Sequence, residues 1–85
     1  MNLKAKVIKI HEIKEFVKFG VKNKIAVAII KDLDSEKEFK LNLWNDQIDL
    51  IKENETIEIF NAYEKKWQNQ IYLNVNIYGK ILRKN

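Results

Sequence analysis

Trp44, Tyr63 and Trp67 are the residues of this sequence whose types and surroundings point to chemistry, and that chemistry is non-covalent. Trp44 ends a run in which Phe39, Leu41 and Leu43 alternate with Lys40, Asn42 and Trp44. Successive strand residues face opposite ways, so an apolar set at 39, 41 and 43 sends Trp44 outward beside Lys40 and Asn42. An exposed indole is costly as plain surface. Beside a lysine and an amide it makes a platform on which a nucleic-acid base can stack while the lysine meets a phosphate. Tyr63 and Trp67 stand four residues apart with Lys65 and Lys66 between them, the same interleaving of rings and cations. The competing role for Trp44 is a lid over a barrel end or packing beneath a short helix. The second cluster favours the outward role.

Phe16 and Phe19, set among Lys14, Lys18, Lys22 and Lys24, form a third grouping. Together they are read as an opposite wall, with Phe16, Lys18 and Lys22 as its contact residues and one Phe anchoring the segment to the core. Tyr72 and Tyr78 add outward rings by alternation. Other chemistry finds little footing. There is no Cys and a single His, which excludes disulfides and leaves structural zinc short of ligands. Asp32, Asp34 and Glu36 lack the Gly and distal Glu of a calcium loop and read as a solvated acidic hairpin. Without a phosphate loop, a nucleophile elbow or a convincing carboxylate pair, no enzyme activity, cofactor or metal is expected.

These side chains need a scaffold, and 85 residues allow one small domain, residues 1–85. Hydrophobic residues at 46% can fill its core and charged residues at 33% can cover it. Leu3–Ile13 alternates but changes phase between Val7 and Ile8, which predicts a bulged strand serving both halves of a barrel. Lys14–Asn23 reads as a loop, Lys24–Lys31 as a second strand and Glu38–Trp44 as a third. Asn45–Lys52 changes period. Asn45 is placed as a helix cap, with Ile48 and Ile51 on the buried face and Leu50 at the edge.

Thr56–Tyr63 returns to strand with Ile57 and Ile59 inward, though Phe60-Asn61-Ala62 blurs the phase. In the last strand Ile71, Leu73, Val75 and Ile77 face the core against Tyr72, Asn74, Asn76 and Tyr78. Tyr78-Gly79-Lys80-Ile81 is expected to turn and close the chain. Three strands, a short helix and two strands define an all-β, five-stranded OB barrel with the helix between strands three and four.

The net charge is +4, unevenly spread. Residues 1–31 hold eight Lys against two Glu, a balance of +6; residues 32–60 hold three Lys against nine acids, −6. Residues 61–85 hold five Lys or Arg against one Glu, +4. Such asymmetry suits an anionic polymer on one side. The longest apolar run, Ile25–Ile30, is far short of the roughly 20 residues of a membrane helix. The N-terminus has no apolar signal core. A cytoplasmic protein without membrane contact is the expectation.

On these residues the chain resembles the OB domains of archaeal single-stranded DNA-binding proteins and archaeal replication protein A. The resemblance is clearest from about Ala26 to Gly79. Its anchors are the Asp32 hairpin, Lys40-Leu41-Asn42-Leu43-Trp44-Asn45, the run Ile57 to Tyr63 and Gln70-Ile71-Tyr72-Leu73-Asn74. It implies that Trp44, Tyr63 and Trp67 stack on DNA bases, and that the partner is single-stranded DNA, with RNA as the alternative. Other OB domains or replication and repair proteins are further implied partners. Tyr63 stands where Trp is more usual, and Asn54 and Asn69 where turn Gly is common; Asn tolerates positive φ at both. No Gly- or Arg-rich tail follows Asn85, so the sequence reads as a stand-alone core or as one unit of a longer protein.

Overall fold

Runs of β-branched and aromatic residues alternating with Lys, Glu and Asn, interrupted by no Pro and two Gly, leave the chain little choice but long strands. The computed structural model describes residues 1–84. It contains β1 (Leu3–Lys18), β2 (Val21–Asp32), β3 (Glu38–Trp44), the single helical turn α1 (Asp46–Asp49), β4 (Thr56–Trp67) and β5 (Gln70–Lys84). The strands close into a barrel in the order β1-β2-β3-β5-β4. All neighbours are antiparallel except β3 and β5, which run parallel through Lys40–Tyr72 and Leu41–Leu73. This is the OB architecture that the order of elements predicts.

Closure requires β1 to pair on both edges. Leu3–Lys6 pairs with Ile59–Thr56 of β4, while Ala5 to Lys18 pairs with β2. Two register shifts, at Val7/Lys9 and His11/Lys14, let one strand bend around the barrel. The first falls where the alternation changes phase. Inside, Val7, Ile30, Leu41, Leu43, Ile57, Ile59 and Leu73 are sealed from solvent. Ile48 packs against this core and Ile51 is buried in it, as expected. Among the described residues no helix is long and apolar enough to cross a membrane.

Four local expectations are corrected. Residues 14–23 are no loop: β1 and β2 continue as a ribbon to a tight turn at Phe19-Gly20, both at positive φ. Lys14 and Lys18 on one face and Lys22 and Lys24 on the other keep that ribbon polar on both sides and leave no alternation to reveal its pairing. The helix is shorter than Asn45–Lys52, and Asn45 does not cap it. Asn45 lies at φ 51, and its Oδ1 accepts the Lys24 backbone N–H at 2.9 Å. The side chain that would cap the helix ties it to β2 instead.

The chain also does not end its strand at Tyr78. β4 and β5 jump register from Phe60–Lys80 to Ala62–Val75, so 76–79 form a bulge opposite Asn61 before pairing resumes to Lys84. Asn61 answers the jump at φ 59, donating its amide to the Tyr78 carbonyl. That irregularity blurred the phase at Phe60-Asn61-Ala62. Fourth, Ile71 lies on the side of Leu73 but is 55% exposed, because the β4–β5 ribbon outruns the barrel mouth. The expectation that Ile77 faces the core lies outside the described residues.

Asn54 and Asn69 take positive φ as expected, and Gln68 joins Asn69 in the two-residue turn between β4 and β5. Gly79 answers a different need. A Cβ there would collide with the Phe60 carbonyl oxygen and stand 2.8 Å from Val75 Cγ1. Gly79→Ala is therefore expected to lower stability by about 1–3 kcal/mol in urea unfolding; an unchanged midpoint would contradict this packing.

Candidate nucleic-acid interface

Residues paired across a ladder share a face, so the registers identify one continuous outer surface. Lys14 opposes Ile25, Ile25 opposes Trp44 and Val27 opposes Asn42. On the other side of β3, β5 carries Tyr72 opposite Lys65 and Asn74 opposite Tyr63. These strands enclose a groove of about 310 Å³ lined by Lys14, Ile25, Val27, Asn42, Trp44, Lys65, Trp67, Tyr72 and Asn74. That is the low end of the roughly 300–1,000 Å³ usual for ligand clefts.

Two ring pairs stiffen the groove. Phe16 of β1 meets Trp44 edge-on, with centroids 6.4 Å apart and planes at 82°. Trp67 meets Tyr72 at 6.4 Å and 67°. Such contacts contribute about 0.5–1.5 kcal/mol each beyond burial and fix the orientation of each indole. Trp44 is further held by its backbone, whose N–H donates to Gln47 Oε1 at 3.0 Å. Trp44 is 43% exposed and Trp67 59%. Both are therefore partly seated rings with accessible faces.

Asn74 sits at the groove floor, 5% exposed. Its Oδ1 receives Asn42 Nδ2 at 3.4 Å and Trp44 Nε1 at 3.5 Å, both long contacts. Its Nδ2 is buried without a hydrogen-bond partner. A buried amide donor left unpaired costs about 1–3 kcal/mol. Alternation placed Asn74 on the correct side of β5 but as a surface residue. Trp44 and Asn42 cover it because β3 lies beside β5, and that parallel neighbour is invisible in a local pattern.

The other candidates divide. Asn42, Trp44, Lys65 and Trp67 meet at the groove, and Phe16 borders it through its contact with Trp44. Tyr63 shares the face but lines a neighbouring hollow with Val75, Asn76 and Tyr78. Lys40 also shares it, donating to Gln70 Oε1 at 2.6 Å and lying 5.6 Å from the Tyr72 ring centroid. Lys18 shares the side of Phe16 near the ribbon tip, 5.7 Å from the Phe19 ring centroid. Lys22 opposes Val17 and Lys66 opposes Ile71, so both sit on the reverse faces of their ribbons. The structure does not bring these two to the groove. Ile25, Val27 and Asn74 are groove residues that the local pattern does not single out, whereas Lys14 and Tyr72 stand among the lysines and rings that it does. Among the described residues no cluster of three His, Asp or Glu is placed to hold a metal ion.

A closed OB barrel with an aromatic, lysine-edged groove across β2, β3 and the β4–β5 ribbon has the form of a polymer-binding module. The model of the Ssb-like, OB-fold single-stranded DNA-binding proteins matches residues 1–83, and the chain belongs to that family. The match takes in β1 and its ribbon, beyond the Ala26–Gly79 span of clearest resemblance.

Three solved structures are similar over 99% of this chain. The OB domain of Ta0387 from Thermoplasma acidophilum is 20% identical, with a TM-score of 0.77 and 74% of its chain covered. A replication protein A heterotrimer bound to single-stranded DNA is 21% identical, with a TM-score of 0.73 over 22% of the matched chain. The second OB domain of replication protein A from Methanococcus maripaludis is 23% identical, with a TM-score of 0.70 over 84% of its chain. At these identities the likeness speaks for the fold. No curated protein matches the chain significantly in sequence.

The exposures give a direct check on the free protein. In Trp44→Phe the remaining Trp67 is expected to be quenched more steeply by acrylamide than Trp44 is in Trp67→Phe. Equal or reversed slopes would mean that the indoles are not seated as described.

Proposed function

We propose that this chain binds single-stranded DNA with little sequence preference, in DNA replication, recombination or repair. The observation that carries this reading is the pair of braced, half-open indoles, Trp44 and Trp67, on one groove edged by Lys14 and Lys65. Every base has a π-face, so stacking tolerates any sequence, and each stacked base contributes about 1–3 kcal/mol. The lysines meet phosphates, and the counterions released make affinity fall with salt. Tyr63 extends the face for a further base, and Lys18 and Lys40 lie along it. Family membership supports the polymer class. A replication protein A heterotrimer bound to single-stranded DNA, one chain of which contains this fold, supports DNA and a setting within a multi-chain assembly.

Titration with oligo-dT at low salt is expected to quench the tryptophan fluorescence. Trp44→Ala and Trp67→Ala should each weaken binding by roughly 5- to 150-fold. An unchanged spectrum and mobility at saturating oligonucleotide would overturn the reading. A matched RNA oligonucleotide in competition tests the polymer, because stacking is indifferent to the 2′-hydroxyl.

The lysines make a separate prediction. Lys14→Ala and Lys65→Ala should each reduce the slope of log affinity against log salt by about 0.7. Lys22→Ala and Lys66→Ala, on the reverse faces, should change it less. Equal effects from all four would move the phosphate path off this groove.

A further inference from the structure

Resting on the nucleic-acid reading of this groove, we infer that Asn74 is a base-reading residue: its unpaired Nδ2 donates to the exocyclic carbonyl oxygen of a base lodged against Trp44. The orientation of the amide follows from its neighbours. An indole nitrogen only donates, so the atom of Asn74 facing Trp44 Nε1 must be the oxygen. Asn42 Nδ2 donates to the same oxygen. The amide nitrogen is therefore fixed as the free end, and its two N–H groups find no acceptor in the protein.

This donor is recessed in a residue that is 95% buried at the groove floor. A ring nitrogen, set within the outline of a base, reaches it poorly. A carbonyl oxygen projects about 1.2 Å beyond the ring edge and accepts along a broad arc. Thymine, uracil, cytosine and guanine carry such an oxygen; adenine does not. The groove would thus overlay a bias against adenine on otherwise tolerant stacking. Because the amide that reads the base also contacts the indole, base edge and base face are recognised by one connected unit.

The test is the affinity ratio of oligo-dT to oligo-dA of equal length, in wild type and Asn74→Asp. The carboxylate keeps an oxygen toward Trp44 and Asn42 and replaces the N–H groups with an acceptor. Its added charge weakens both oligonucleotides, so the change in ratio is the readout; this also removes the self-stacking of oligo-dA from the comparison. The ratio is expected to fall by roughly three- to tenfold, the equivalent of one neutral hydrogen bond. Asn74→Leu, with its fold checked by circular dichroism, should lose the same discrimination without added charge. On the DNA side, thymine replaced by its isostere difluorotoluene should weaken wild-type binding more than binding to Asn74→Leu. An unchanged ratio in both variants overturns the inference while leaving DNA binding intact. Failure of wild type to bind either oligonucleotide removes the functional reading and the inference with it.

Discussion

The groove depends on one short parallel contact. β5 lies between β3 and β4 because Lys40 and Leu41 pair with Tyr72 and Leu73. That contact places Leu73 in the sealed core and Tyr72 on the outer face one residue away. It also brings Asn74 beneath Trp44 and Asn42, and swings the β4–β5 ribbon over the same surface. Parallel pairing is the less stable kind, and here it spans two residue pairs. It is sustained by what flanks it: seven antiparallel pairs between β2 and β3, and eleven between β4 and β5.

Bulges solve the geometric problem of closing five strands. β1 bends twice to serve two partners, and β5 throws out residues 76–79 opposite Asn61. Below the β5 bulge the β4–β5 ribbon seals the barrel through Thr56–Phe60 and Lys80–Lys84. Above it, the same ribbon keeps Ala62, Leu73 and Val75 on the core and then outruns the barrel mouth, carrying Lys65 and Trp67 to the groove. The chain terminus clips this junction: the Met1 ammonium donates to the Ala62 carbonyl, and Asn2 Oδ1 accepts the Asn61 N–H.

Local alternation was a sound guide wherever a strand has one face in the core. It placed Phe39, Leu41 and Leu43 against Trp44, and Ile57 and Ile59 inward. It failed where strands run past the barrel, because neither face is then buried and the pattern carries no information. Residues 14–23 and Ile71 are of this kind. It failed differently at Asn74, whose side was right and whose burial depends on a parallel neighbour 32 residues earlier in the chain. Trp44 and Trp67 were legible because an indole beside lysines is unusual on any strand. The assignment of Lys22 and Lys66 rested on nearness in sequence, which a register of two residues per repeat does not respect.

The bulge at Asn61 also divides the chain into territories with different tolerance to change. Residues of β4 and β5 on the barrel side are locked to Ile57, Ile59 and the closing pairs with β1. Of those on the far side, Ala62, Leu73 and Val75 still belong to the core, while residues 64–71 contribute Trp67 and its neighbouring charges to a rim that holds none of it. Substitutions there can alter what the groove contacts while the barrel stays closed. The rim can thus drift through sequence space at a rate the barrel cannot match, and one scaffold can be retuned for different lengths or compositions of polymer without being refolded.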